Sequence, residues 1–211
     1  MSSNYTASDI TILEGLEPVR KRPGMYIGGV GKNGLHHLIW EVLDNAVDEA
    51  INGHASVINV TLEADGKTVS VEDNGRGIPV ETHPTDSQKR STLEVIFTEL
   101  HAGGKFEQGA YRTAGGLHGV GASVVNALSD ELLVRVKRNG NTYEQRFSRG
   151  HSLGSIEKVG SGRGTGTFVR FSPDETIFES TEFDSKLIAS RLEVKTYLHK
   201  GLRIVFRDET A

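Results

Sequence analysis

The chain of 211 residues has no cysteine. That excludes a disulfide framework, a thiolate metal site and a cysteine nucleophile, and it permits an intracellular setting. Excess positive charge is also lacking: 24 Lys and Arg stand against 28 Asp and Glu, for a formal net charge of -4. The chain as a whole therefore does not attract nucleic acid, and any DNA contact is local or lies elsewhere. The opening MSSNYTASDI has no apolar leader core, and no later run approaches the roughly 20 apolar residues of a membrane span. A soluble, cytoplasmic protein without membrane contact is the expectation. What is abundant is glycine, whose 25 residues cluster at 24–34, 103–121 and 160–166. Loop punctuation accounts for the last cluster. The middle one reads as backbone that is approached closely or asked to move.

The length fits one large domain, read here as a polar arm over 1–14 followed by a single domain over 15–211. A short helical turn is expected around Ile12–Val19, and the basic, proline-broken run 20–34 reads as a loop. Leu35, Ile39, Val42, Ala46 and Ala50 form a helical stripe over 35–50, with Gly53 as its stop. Alternating Ile58, Val60 and Leu62 predict a strand, and a turn at 64–67 leads to a second strand over 69–73. Helices are expected over 92–100 and 120–128. The second half reads as strands over 132–138, 142–147, 156–159 and 165–171, a helix over 185–198 and a strand over 202–207. The sum is an α/β chain of the two-layer α+β kind, helices against one face of a mixed or largely antiparallel sheet.

Three positions on the first long helix, His37, Glu41 and Asn45, recur at i, i+4, i+8 beside the apolar stripe, so their side chains share a row. A solvated polar face has the same spacing. Asp73 shares strand parity with Val69 and Val71, so its carboxylate points toward the apolar layer and requires a partner. That partner is Arg76, a helix start, or the amino group of a ligand. Thr167 shares parity with Val169 and Phe171 and also faces inward. The run 115–121, Gly-Gly-Leu-His-Gly-Val-Gly, leads directly into a helix, an arrangement whose exposed amides bind phosphate. Neither G-x-x-x-x-G-K-[ST] nor G-x-G-x-x-G occurs, which excludes P-loop and Rossmann sites.

Taken together, EVLDNAVDEA at 41–50, DNGRGIP at 73–79, GGLHGVG at 115–121 and GTGT at 164–167 resemble the motifs of the GHKL ATPase superfamily, in the same order. RKRPGMYIG at 20–28, HAGGKF at 101–106 and SVVNALS at 123–129 resemble those of its bacterial type II topoisomerase branch, the ATPase domains of DNA gyrase B and of topoisomerase IV. The resemblance implies a Bergerat fold, a mixed sheet of about eight strands covered by helices on one face, that binds ATP and Mg2+. It implies that Glu41 is the general base with His37 orienting it, that Asn45 ligates magnesium, and that Asp73 accepts from the adenine amino group with Thr167 in support. Gly77 and Ile78 would line the adenine pocket, and Tyr111 would touch the nucleoside. Gly103, Lys105 and the run Leu117, His118, Gly119, Val120 and Gly121 would hold the phosphates. Glu49, Arg76, Pro79 and Arg138 would form the rim where aminocoumarin inhibitors bind. Tyr5 on the arm would reach into the site of a second copy, making an ATP-dependent homodimer that works with gyrase A and DNA in the whole enzyme.

Two departures accompany the match. The chain stops at Ala211, before the transducer domain that supplies a glutamine and a lysine to the γ-phosphate in this family, and the stretch 82–91 matches no family motif and reads as a surface loop. The readings that remain are an ATPase driving DNA strand passage, in gyrase or in topoisomerase IV; an ATP-binding switch with negligible turnover, monomeric and with little DNA binding of its own; and a histidine-kinase catalytic domain. The last would not require Glu41 or the topoisomerase-type runs.

Overall fold

The computed structural model describes residues 13–102 and 121–210. In chain order its elements are α1 (Glu17–Lys21), α2 (Gly24–Ile27), α3 (Lys32–Ile51), β1 (Val57–Leu62), β2 (Val69–Asp73), α4 (Thr92–Thr98), α5 (Gly121–Ala127), β3 (Ser129–Arg138), β4 (Asn141–Ser148), β5 (His151–Ser152), β6 (Glu157–Ser161), β7 (Gly166–Pro173), α6 (Ser185–Leu198) and β8 (Arg203–Asp208). The strands form one eight-stranded sheet in the order β5-β4-β3-β7-β2-β1-β8, with β6 also pairing β4. Every pairing is antiparallel except β1 with β8, which run parallel from Val57 opposite Arg203 to Leu62 opposite Asp208. The sheet is therefore mixed and mainly antiparallel, as the strand patterns led one to expect.

Alternation sorts the two faces of the sheet. Ile58, Val60 and Leu62 of β1, Val69 and Val71 of β2, Leu132, Val134 and Val136 of β3, and Val169 and Phe171 of β7 are all buried on one side. Against them α3 presents Leu35, Leu38, Ile39, Val42, Leu43, Ala46 and Val47, an apolar stripe that α5 extends with Val124, Val125 and Ala127. Among the described residues the opposite face carries cross-strand ion pairs instead of helices: Arg170 with Glu63, Lys137 with Glu72 and Arg135 with Glu144. These pairs are half exposed, contribute little each, and keep that face wet.

The run 20–34, read as a loop, is more ordered than its breakers suggest. Pro23 occupies the N-cap of α2 at φ -58°, where its fixed φ is compatible with a helix start and its missing N–H is not needed. Gly28, left-handed at φ 79°, closes that turn by donating its N–H to the Gly24 carbonyl, and α3 then begins at Lys32, earlier than the apolar stripe alone indicates. The two-residue β5 also falls outside the sequence expectation. The 82–91 loop is closed at its base by a bridge between Thr82 and Ser91 and braced by Arg90, which pairs with Asp86 and with Glu99. Ser91 then caps α4 by accepting the Glu94 N–H at 3.0 Å.

Candidate functional site

The polar row on α3 begins with a hydrogen-bonded pair. His37 Nε2 lies 2.9 Å from Glu41 Oε1, with both side chains about one-third exposed. The hydrogen bond to Glu41 raises the His37 imidazole above its ordinary 6.5, against burial and with Asp44 adding to the rise. The other oxygen, Oε2, faces the first residue of α5: a Cβ at Gly121 would run into it. Only glycine permits this approach of backbone to carboxylate. Asn45 follows one turn later and is exposed.

One turn further again, Glu49 joins the row to the end of β2. It accepts the backbone N–H of Arg76 at 3.1 Å and holds the guanidinium through two bonds, Nη2 to Oε1 at 2.7 Å and Nε to Oε2 at 3.1 Å. Arg138 closes the same corner by donating to the Gly77 carbonyl at 2.8 Å, while its Nε is buried without a hydrogen-bond partner among the described residues. Gly77 adopts φ 74°, and a Cβ there would come within 2.8 Å of the Lys137 carbonyl. Pro79 is exposed beyond it.

Asp73, the last residue of β2, is 9 % exposed, as its strand parity requires. The Gly75 N–H donates to Oδ1 at 2.8 Å and the Thr167 N–H reaches the same oxygen at 3.4 Å. Among the described residues no donor reaches Oδ2. Arg76, an internal partner open to Asp73 on sequence grounds, is committed to Glu49 instead. Burial pushes the Asp73 carboxyl up from 3.8 to about 6, offset in part by those two amides and reinforced by Glu49 and Glu72. Thr167 Oγ1 accepts the Ile78 N–H at 3.3 Å, so Thr167 and Ile78 stand together beside Asp73.

The structure thus gathers His37, Glu41, Asn45, Glu49, Asp73, Arg76, Gly77, Ile78, Thr167, Arg138 and Gly121 along α3 and the strand ends next to it. Tyr5, Gly103, Lys105, Tyr111, Leu117, His118, Gly119 and Val120 lie outside the described residues. Two cavities of about 430 Å³ lie elsewhere, one between α3 and residues 179–184 and one on the outer sheet face, and neither is lined by Glu41 or Asp73. Sequence reasoning passed over a second row on α3, His36, Trp40 and Asp44, which carries α6. Its i, i+4, i+8 spacing was readable. Its partners, far along the chain, were not.

As to metal, no group of three His, Cys, Asp or Glu side chains among the described residues could hold an ion. Asn45 is exposed at the row's third position, and an amide oxygen is a donor type that suits Mg2+, which takes one or two protein oxygens and keeps the rest of its shell as water and phosphate.

Residues 31–177 match the family described as histidine kinase-, DNA gyrase B- and HSP90-like ATPase. The chain is 56% identical over 204 residues to the B subunit of DNA gyrase from Thermotoga maritima, covering 97% of this chain and 32% of that protein. It is 53% identical over 208 residues to the B subunit of DNA topoisomerase 4 from Staphylococcus aureus, covering 98% and 31%. Among solved structures it matches the 43K ATPase domain of Thermus thermophilus gyrase B in complex with an aminocoumarin, with TM-score 0.81 and 46% identity over 92% of this chain and 49% of that one. The chain spans about a third of the length of these curated relatives.

Proposed function

The chain belongs to the histidine kinase-, DNA gyrase B- and HSP90-like ATPases, and from that premise we propose that it binds ATP along α3, with the base at Asp73 and the terminal phosphate at Glu41. The observation that carries this reading is the buried Asp73 carboxylate, whose Oδ2 meets no donor among the described residues. An exocyclic amino group satisfies it. Thr167 and Ile78 flank the base, and Gly77, which packs without a side chain against the Lys137 and Gly166 carbonyls, carries the chain past it. From Glu41 to Glu49 the row rises about 12 Å, a length that a nucleoside triphosphate covers from base to terminal phosphate.

Glu41 acts as the general base. His37 holds Oε1, so Oε2 takes the proton of the attacking water. Gly103, Lys105, Tyr111 and the amides of 117–121 contact the nucleotide, and Asn45 holds Mg2+, which supplies charge neutralisation on the phosphates. Glu49, Arg76, Pro79 and Arg138 form a rim that takes an aminocoumarin.

In the whole protein this unit is the ATPase of a type IIA topoisomerase. Gyrase B relatives at 51–56% identity favour gyrase, and a topoisomerase IV relative at 53% keeps that enzyme as the second reading. ATP-driven dimerisation through the 1–14 arm, with Tyr5 entering the other copy's site, couples hydrolysis to DNA passage with gyrase A in the cytoplasm. No helix among the described residues is long and apolar enough to cross a membrane. Calorimetric titration with ATP tests the core of this reading: the chain binds, and Asp73→Ala abolishes binding while circular dichroism stays native. Unchanged affinity in Asp73→Ala overturns the adenine assignment.

A further inference from the structure

Helix α6 buries only Ile188 and Leu192 in the core, too little apolar surface to fix a 14-residue helix by packing alone. Besides its packing against β8, it is held by polar contacts to α3 along its length. At its start, Asp184 caps it by accepting the N–H groups of Lys186 and Leu187, and the same carboxylate takes Lys32 Nζ at 2.6 Å. The Asp184 N–H donates to His36 Nε2 at 2.9 Å. Midway, the Arg191 guanidinium lies 5.8 Å from the centre of the Trp40 ring. Near its end, Lys195 Nζ is 2.6 Å from Asp44 Oδ1, an ion pair off the hydrogen-bonding directions, with the two side chains 17% and 26% exposed.

The anchors on α3, His36, Trp40 and Asp44, form a row one residue behind His37, Glu41 and Asn45. Among the described residues, the charged groups that act on His37 are Glu41 and Asp44 from its own helix, which favour its proton, and Arg191 from α6, which opposes it. Lys195 neutralises Asp44.

We propose that Arg191 and Lys195 are positioning residues for the His37–Glu41 pair: seated on Trp40 and Asp44, they offset the carboxylate charge beside His37. This rests on the reading of Glu41 as the base and His37 as its orienting partner. Loss of either cation leaves His37 protonated to higher pH, and a more firmly protonated His37 makes the Glu41 carboxylate a weaker acceptor of the water proton.

The test is an NMR titration of the His37 ring in this chain and in Lys195→Met, Arg191→Met and Lys195→Arg. The two methionine variants raise the midpoint by a few tenths of a pH unit each, and about half a unit or more together; Lys195→Arg returns it to the parent value. Arg191 is exposed, so its variant folds even where Lys195→Met does not. A lowered melting temperature with an unmoved His37 midpoint overturns the proposal, because a brace that merely packs does that. ATP turnover in the full-length protein separates the two readings: Lys195→Met lowers kcat at neutral pH with KM unchanged, and moves the acid limb of the pH profile to higher pH. A shifted midpoint with an unaltered profile overturns the proposal, while the assignment of Glu41 falls only if Glu41→Gln retains turnover.

Discussion

Gly121 stands against the carboxylate of Glu41 with no space for a β-carbon between them. The first residue of α5 and the proposed base therefore fix each other's position. Gly121→Ala forces the carboxylate aside, since backbone on one side cannot give. Phosphate release falls about 100-fold, while stability changes by no more than about 1–3 kcal/mol, the range for one inserted methyl group. Normal turnover in this variant would show that α5 does not wall the base.

Glu41→Gln keeps the shape of the side chain and removes its basicity. Nucleotide affinity by calorimetry stays within about twofold, and hydrolysis drops by roughly 10²–10⁴. Retained turnover removes Glu41 as the base.

Asp73 places a charge where burial opposes it, with its pKa raised from 3.8 to about 6. The sign follows from proton binding. The folded state holds the proton more tightly than the unfolded chain, so ionising Asp73 costs stability as pH rises from about 4 to 6, and the full cost, about 3 kcal/mol, persists above that. Asp73→Asn keeps an oxygen for the Gly75 and Thr167 amides and removes the charge. Its melting temperature at pH 7 exceeds the parent's, the advantage fades below pH 4, and ATP binding is lost. Equal melting curves at pH 7 would contradict the burial cost.

His36 is buried and accepts the Asp184 N–H at Nε2, which leaves Nδ1 to donate to the Lys32 carbonyl at 2.7 Å. Protonation removes the acceptor. Burial holds its pKa below the ordinary 6.5, against the Lys32 carbonyl, which raises it. For a histidine so depressed, its contribution is complete above about pH 6.5 and is lost as pH falls through the folded value. Thermal melts between pH 7.5 and 5 show a steeper acid-side loss in the parent than in His36→Gln. Parallel slopes would remove His36 as the cause.

Much of this arrangement is legible in the sequence where one periodicity dominates. The apolar stripe from Leu35 locates α3, and 185–198 for α6 and 69–73 for β2 match their observed bounds. The parity of Asp73 with Val71 gave its burial, because a strand side chain has only two directions to choose from. Local signals misled at Pro23 and Gly24, which read as breakers yet start and carry α2: a proline is harmless where no N–H is required. They were silent on long-range partners. Nothing near Asp44 points to Lys195, and nothing near Asp73 shows that Arg76 turns to Glu49. The phosphate side, Gly103, Lys105 and 117–121, is read from resemblance together with the glycine-rich run into a helix.

The parallel pairing of β1 with β8 has a consequence for synthesis. On a ribosome, β1 and β2 can join as a hairpin early, but the outer edge of β1 stays open until Arg203–Asp208 emerges. Until then its unpaired amides and carbonyls are a template for any passing strand. A nascent chain stalled or cut before Arg203 should therefore be a sticky, protease-sensitive species, and completion of β8 covers that edge and moves the open one to a strand carrying Arg203, Arg207 and Asp208, charges that discourage edge pairing.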